Sequence, residues 1–453
     1  MDVDFDPRYD ASAVVVVEKL LPGGVGLARL PEGKLVLVEG AAAQDKLSIV
    51  YRIGRAKTLR GAVRLVLKPS PDRRDPAPAP CPACDWVHLT REAQLREKRL
   101  LVADCMRRLA RLPQTAIEET LAPPPELSLR NKISLAIHEA PPLSETDAPP
   151  KDAAQTGAAL IGYRAPGSRS IVAYEGCLQA PPVFAEIVAW LSARWPGQTG
   201  AESLLLRQNA GGDILVGFRG ETLRHQALEP LVAPLRQAFP AILGIDAQGV
   251  SGHRVLAGQA FFREELGEWT FQVGCDSFFQ VNRAAAGLLL GLVKDSLRVI
   301  AGDRALLPSG VDLYAGVGTF TFALAAVCER VIAAEYADGA IADLALNCAL
   351  NQVETVEARH GDVCSTLKSM EDDVAIAIVN PPRTGCPYRV IDWLNAHVRE
   401  GIIMISCDPA TLARDLKRLK EKGEWRIERI QPVDMFADTH HVETVVCLVR
   451  GEA

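Results

Sequence analysis

The sequence predicts an α/β chain: a C-terminal, doubly wound, Rossmann-like sheet, preceded by a small OB-like β-barrel and a central α+β region. Three observations carry this. From Val311 onward, continuous apolar runs alternate with helical segments, the texture of parallel strands buried on both faces. Before about residue 70, short apolar stretches are parted by Pro and Gly turns, as in a small barrel. At 453 residues the chain is also too long for one hydrophobic core. The expected division is 1–69, 70–270 and 271–453.

The barrel stretches are Ala13–Val17, Lys34–Val38, Lys46–Tyr51 and Gly61–Leu67, separated at Pro22-Gly23-Gly24, Pro31-Glu32-Gly33 and Gly54. Their spacing suggests a five-stranded barrel of the oligonucleotide-binding kind. Between Arg52 and Arg74 stand eight basic residues against Asp72 alone, a nucleic-acid contact or a solvated rim. An irregular Pro76–Cys84 stretch leads into a helical run from Thr90 to about Leu112. The α+β region begins near Leu127 and is broken by a Pro/Ala/Asp-rich loop or linker, Ala140–Gly157. In the C-terminal part, strand-like runs (Val311–Tyr314, Val331–Glu335, Val374–Asn380, Gly401–Cys407) alternate with helices at about Phe320–Val327, Asp338–Leu350, Val390–Val398 and Ala410–Lys422. Two more strands, Trp425–Gln431 and Glu443–Val449, finish it.

Composition narrows the class. Apolar residues make up 48% and charged residues 23%, ordinary for a soluble globular protein. No apolar run approaches the roughly 18 residues of a membrane helix. An acidic start, where a signal peptide would be basic, argues for the cytoplasm. A net charge of −6 argues against a wholesale nucleic-acid coat and leaves room for a local basic patch. Eleven irregularly spaced cysteines read as thiols, metal ligands or nucleophiles rather than disulfides.

Four segments carry candidate chemistry. Val311–Phe320 runs a strand into Gly316-Val317-Gly318 at a helix start, which puts backbone N–H groups against a ligand. Glu335 ends the next strand, where a carboxylate suits the two hydroxyls of an adenosine ribose. This pair alone does not separate a dinucleotide from S-adenosylmethionine. Asn380-Pro381-Pro382 makes a rigid, extended turn at a strand end, a shape that can hold a planar base by paired hydrogen bonds. Cys407 stands at the carboxyl end of its strand, before a helix whose N-terminus could stabilise a thiolate. A lone strand-end cysteine is otherwise a buried small hydrophobe. Finally, Asp434–Glu443 is a dense polar cluster between apolar strands. It is either a plain hairpin turn or a source of a general base, Glu443, oriented by one histidine.

Taken together, Ser277-Phe-Phe-Gln280-Val-Asn282, the Asp312–Phe320 turn, Asn380-Pro-Pro-Arg-Thr-Gly385, Ser406-Cys407-Asp-Pro-Ala-Thr-Leu-Ala-Arg-Asp415 and Asp434-Met-Phe…His441-Val-Glu443 resemble the RNA (uracil-5-)-methyltransferase family. The likeness covers nearly the whole chain, with the N-terminal barrel similar to a TRAM domain. It implies an S-adenosylmethionine-dependent enzyme, cytoplasmic and monomeric, that makes 5-methyluridine in structured RNA. Ribosomal RNA of the large subunit is favoured over transfer RNA because of the appended barrel. It implies cofactor contacts at Gln280, Tyr314, Gly316, Gly318, Glu335, Asp362 and Asn380, with Cys407 as nucleophile and Glu443 as base. Many members also hold a [4Fe-4S] cluster, for which Cys81, Cys84 and Cys177 match three ligands.

Two departures stand out. Asn380 replaces the family's usual Asp, and an amide donates as well as accepts. Asp75 occupies the position of the first cluster cysteine, so the fourth ligand would be Asp75 or another group. They leave room for a non-catalytic RNA-binding protein with a degenerate methyltransferase domain. A nicotinamide-dependent oxidoreductase is disfavoured by Thr321 in place of a third glycine.

Overall fold

The computed structural model describes residues 9–76, 78, 81–124, 130–139, 159–165, 168–370 and 372–451. The loop expected at Ala140–Gly157 and the start expected at Leu127 lie outside the described residues. The chain forms two compact units: Met1–Ala122 with Pro381–Cys386 and Met404–Ala453, and Pro123–Asn380 with Pro387–Ile403.

The first unit opens with β1 (Ala11–Leu21), β2 (Val25–Arg29), β3 (Leu35–Glu39), β4 (Lys46–Tyr51) and β5 (Thr58–Lys68), a closed barrel in the order β1-β2-β3-β5-β4. Alternation decides its inside: Val15, Val17, Val36, Val38, Leu47 and Ile49 fill the core, while Val14 and Val16 face out. Strand β2 was not expected, being five residues with a glycine in second place. A Cβ on Gly26 would sit 2.8 Å from Ala41 Cβ and 2.9 Å from Val17 Cγ1, so the bare Cα lets the barrel close. Buried Asp45 accepts from Ala42 N, Ser70 N and Arg73 Nε and fastens the barrel to the segment after β5. Helix α1 (Arg91–Arg108) starts where Thr90 accepts from Ala93 N.

The second unit contains a sheet in the order β12-β11-β10-β9-β6-β7-β8. Its strands are β6 (Lys132–Glu139), β7 (Ala159–Arg164), β8 (Ile171–Ala173), β9 (Ser203–Gln208), β10 (Ile214–Arg219), β11 (Ile242–Gly249) and β12 (Gly252–Gly258). Helices α2 (Val183–Arg194) and α3 (His225–Ala238) share its apolar core through residues such as Phe184, Leu191, Leu228 and Leu235. A hairpin, β13 (Phe261–Leu266) and β14 (Trp269–Gly274), leads into α4 (Arg283–Ala301). Then come β15 (Gly310–Leu313), α5 (Thr321–Ala325), β16 (Val331–Glu335), α6 (Asp338–Leu350), β17 (Val356–His360), α7 (Val363–Lys368), β18 (Val374–Val379) and α8 (Tyr388–His397). Strands β17, β16, β15 and β18 lie side by side in parallel. The order reverses between β15 and β18, the switch point outside which α/β sheets bind ligands.

Strand β19 (Val398–Ser406) runs from the second unit into the first. There α9 (Pro409–Lys422) follows it, and the antiparallel pair β20 (Trp425–Val433) and β21 (Glu443–Arg450) completes the fold, with β21 next to β19. No helix among the described residues is long and apolar enough to cross a membrane.

Candidate active site

In the second unit Tyr314, Gly316, Gly318, Glu335 and Asn380, five of the seven expected cofactor residues, gather at the carboxyl ends of β15, β16 and β18. Tyr314 (φ 67°), Gly316 (φ 59°) and Gly318 (φ 98°) all take left-handed backbone, which is uncommon for Tyr and turns the chain sharply. Tyr314 N and Ala315 N both donate to Ala334 O at 3.0 Å. Glu335 accepts from Gly316 N on one oxygen (2.9 Å) and from Tyr336 N and Ala337 N on the other (both 2.8 Å). The carboxylate is therefore oriented before any ligand arrives, and a carboxylate's four lone-pair sites leave capacity for a ligand hydroxyl. Asn380 N donates to Leu313 O at 3.2 Å, placing Asn380 beside the same turn. A Cβ on Gly318 would meet Leu344 Cδ1 at 2.7 Å, so this glycine lets α6 pack against the turn.

Three supports had no signal in the sequence. Buried Asp312 accepts from Thr321 Oγ1 (2.6 Å), and burial, reinforced by Glu335, pushes its pKa up to about 7. Asn347 Nδ2 donates to Val317 O (3.1 Å), while its Oδ1 accepts from Gln272 N (2.6 Å). Arg207, fully buried, donates to the carbonyls of Gly274, Ser277 and Phe279 at 2.7–3.1 Å, fixing the segment that presents buried Gln280. That segment lies against the turn, since a Cβ on Gly316 would be 3.5 Å from Phe278 Cδ1. Asp362 serves as the N-cap of α7, accepting from Ser365 N.

The first unit holds the candidate nucleophile and base. Cys407 follows β19 and is half-buried, and Glu443 opens β21 and is buried. Burial pushes the Cys407 thiol up to about 11; the Glu443 charge adds to this and Arg383 opposes it. Burial likewise raises Glu443 to about 7, again against Arg383. Cysteine, carboxyl and guanidinium are thus within electrostatic reach of one another. Arg383 stands in the Asn380–Gly385 motif, where its residue type alone assigned it no role. Its loop is held by Asp415, which accepts from Cys386 N at 2.7 Å. Gly385 (φ 73°) is needed there because a Cβ would come within 2.6 Å of Asp415 Oδ2.

Two expected helpers have other partners. The α9 N-terminus is capped by Asp408, which accepts from Ala410 N and Thr411 N at 3.0 and 2.8 Å, so these two N–H groups do not go to the Cys407 sulfur. Of the two histidines beside the base, His440 is engaged elsewhere: its Nδ1 pairs with Asp85, whose other oxygen accepts from His440 N. His441, pushed down to about 4 by burial with His440 and Arg383 adding to it, is neutral.

The cysteine set is also reduced. Cys81 and Cys84 share a tight turn, with Cys84 N donating to Cys81 O at 3.0 Å. Cys177 belongs to the second unit, where its sulfur accepts from Gln179 N, and Asp75 is exposed. Among the described residues no group of three or more His, Cys, Asp or Glu side chains is placed to hold a metal ion.

The tRNA (uracil-5-)-methyltransferase family model matches residues 243–361 and 365–451, which include the glycine turn, Asn380, Cys407 and Glu443. Over this C-terminal part the chain matches the RNA (uracil-5-)-methyltransferase family. The match and the relatives support an S-adenosylmethionine-dependent RNA methyltransferase. Similar relatives span its length. An uncharacterized RNA methyltransferase of Nostoc is 28% identical over 464 residues, covering 97% of this chain and 96% of the relative. One of Thermotoga maritima is 29% identical over 462 residues, covering 97% and 99%. The fold resembles the crystal structure of the Pyrococcus abyssi tRNA (uracil-54, C5)-methyltransferase in complex with S-adenosyl-L-homocysteine. The TM-score is 0.69 at 23% identity, with 96% of this chain and 99% of that one covered. The oriented carboxylate and glycine turn of this methyltransferase fit an adenosine-bearing cofactor.

Proposed function

We propose that this methyltransferase converts a uridine of large-subunit ribosomal RNA into 5-methyluridine through a covalent adduct on Cys407. The observation that carries the chemistry is the grouping of Cys407, Glu443 and Arg383, with both acids raised by burial. Uridine C5 is a weak nucleophile. The Cys407 thiol loses its proton to solvent, a step that Arg383 eases. Addition of Sγ to C6 then makes C5 an enolate carbon. The glycine turn, Glu335 and Asn380 would hold S-adenosylmethionine, which would supply the methyl group to C5, its S–CH3 bond breaking so that S-adenosylhomocysteine is left. Glu443 removes the C5 proton. The electrons of that C–H bond rebuild the C5–C6 double bond as the C6–S bond breaks and the thiolate leaves. The target base has to leave its stack to be reached.

The TRAM-like barrel is proposed to supply RNA affinity. Of its basic run, Arg52, Arg55, Lys57, Arg60, Arg64 and Lys68 are exposed, whereas Arg73 and Arg74 are engaged by Asp45 and Asp438. Transfer RNA is the second substrate reading, favoured by the name of the matching family model. Mass analysis of digested ribosomal and transfer RNA, from cells with and without the protein, tests both. Loss of 5-methyluridine from transfer RNA alone would replace the ribosomal reading, and loss from neither would favour a non-catalytic role. An iron–sulfur cluster is a separate reading that rests on the Cys81–Cys84 turn, and no step above depends on it. Protein purified without oxygen that contains no iron would end it.

A further inference from the structure

One face of α1 reaches into the nine-residue connection between β20 and β21. Arg91, Gln94 and Lys98 lie at helical spacing on that face. Lys98 and Asp434 form an ion pair with both side chains at 0% exposure, and Arg91 pairs with the same carboxylate. Lys98 Nζ also donates to Phe436 O at 2.9 Å. Gln94 makes a reciprocal pair with Asp438: Nε2 donates to Oδ1 and Oε1 accepts from Asp438 N, each at 2.9 Å. Asp438 is held in the left-handed region at φ 59°, and Trp86 N donates to its carbonyl at 2.9 Å. Arg74 adds a third charged contact to the connection and Asp85 a fourth, through His440.

The register places this network against the base. Val433 is the cross-strand partner of Glu443, and Asp434 is the next residue. A buried ion pair is seldom better for stability than well-packed apolar side chains, because both ions must be desolvated. What it supplies that packing does not is direction. We infer that α1 is a clamp for the catalytic base: Gln94 and Lys98, acting through Asp438 and Asp434, are positioning residues that aim Glu443 at the C5 proton. This rests on Glu443 being the base.

The test separates addition from proton removal. In RNA transcribed with 5-fluorouridine, C5 carries fluorine, which cannot leave as a cation, so the methylated Cys407 adduct accumulates without any need for a base. Lys98→Met and Gln94→Ala should form this adduct, seen as a labelled band after denaturing electrophoresis, at close to the wild-type rate. On the uridine form of the same RNA they should release product about tenfold more slowly or worse, and the adduct should build up. Gln94→Ala keeps the buried ion pair, so it carries the test if Lys98→Met does not fold. Variants that release product normally, or that lose both reactions in step with their folded fraction, would overturn the clamp. Glu443→Gln run alongside separates the two ideas, since normal turnover in that variant removes the base and the clamp together. A trapped Glu443→Gln adduct with normal clamp variants removes the clamp alone.

Discussion

Around the glycine turn of the second unit, position is set by backbone. Tyr314, Gly316 and Gly318 take left-handed conformations, and Glu335 is oriented by three main-chain N–H groups. Around Cys407 and Glu443 in the first unit, position is set by side chains that come from far away in sequence, such as Lys98 on Asp434 and Gln94 on Asp438. The difference teaches where each region is vulnerable. A backbone-built turn tolerates changes in side-chain chemistry but not an added Cβ. A charge-built one tolerates small changes of volume but not the loss of a partner, because the remaining ion is buried.

Four experiments can break or sharpen this contrast. The largest effect is expected from Cys407→Ala, which should abolish methyl transfer while leaving S-adenosylhomocysteine affinity by calorimetry unchanged. A fall in that affinity would mean the two regions are not separable.

Glu443→Gln should lower product release by about 10²–10⁴-fold. Wild-type turnover should rise with pH through about 7 as the carboxyl ionises. Its folded pKa of about 7 lies above the reference 4.5, so between those values the folded state keeps a proton that the unfolded state has lost. Stability therefore falls as pH rises through that window, by up to about 3 kcal/mol. Glu443→Gln should escape this loss, and its gain in urea stability over wild type should be larger at pH 8 than at pH 5. An equal gain at both would contradict the raised carboxyl.

Gly318→Ala should cost roughly tenfold in S-adenosylhomocysteine affinity through backbone strain and the clash with Leu344. Alkylation of Cys407 by iodoacetamide should proceed unchanged. If alkylation shifts as well, the turn influences more than its own unit. The smallest effect is expected from Arg60→Glu with Arg64→Glu on the exposed face of β5. RNA binding should weaken and its dependence on salt should flatten by about one unit of slope per lost phosphate contact. An unchanged slope would leave the barrel's role without support.

Much of the architecture was legible because its signals are local. Strand β16 and helix α6 fall on the expected Val331–Glu335 and Asp338–Leu350, since an apolar run closed by a carboxylate and its punctuation are read within a few residues. The turn at Gly316 and Gly318 was legible because left-handed backbone selects glycine, whereas Tyr314 in the same conformation carries no such mark. Strand β2 was missed since five residues broken by a glycine do not alternate visibly. Arg383 carried no role in the sequence because its place beside Cys407 depends on Asp415 holding the loop from another element.

What the sequence determined by itself was the alternating α/β order, the turn residues, and the motifs that carry the family resemblance, a strand-end cysteine among them. Only the tertiary structure decided the state of those groups. Burial raised Cys407 and Glu443, Asp408 took the helix N-terminus that was expected to serve the thiolate, and Asp85 took His440. The physical reason is range. Periodicity and turn chemistry act over a few residues, while a pKa or an ion pair depends on neighbours such as Lys98 and Asp434, 336 positions apart, that only folding brings together.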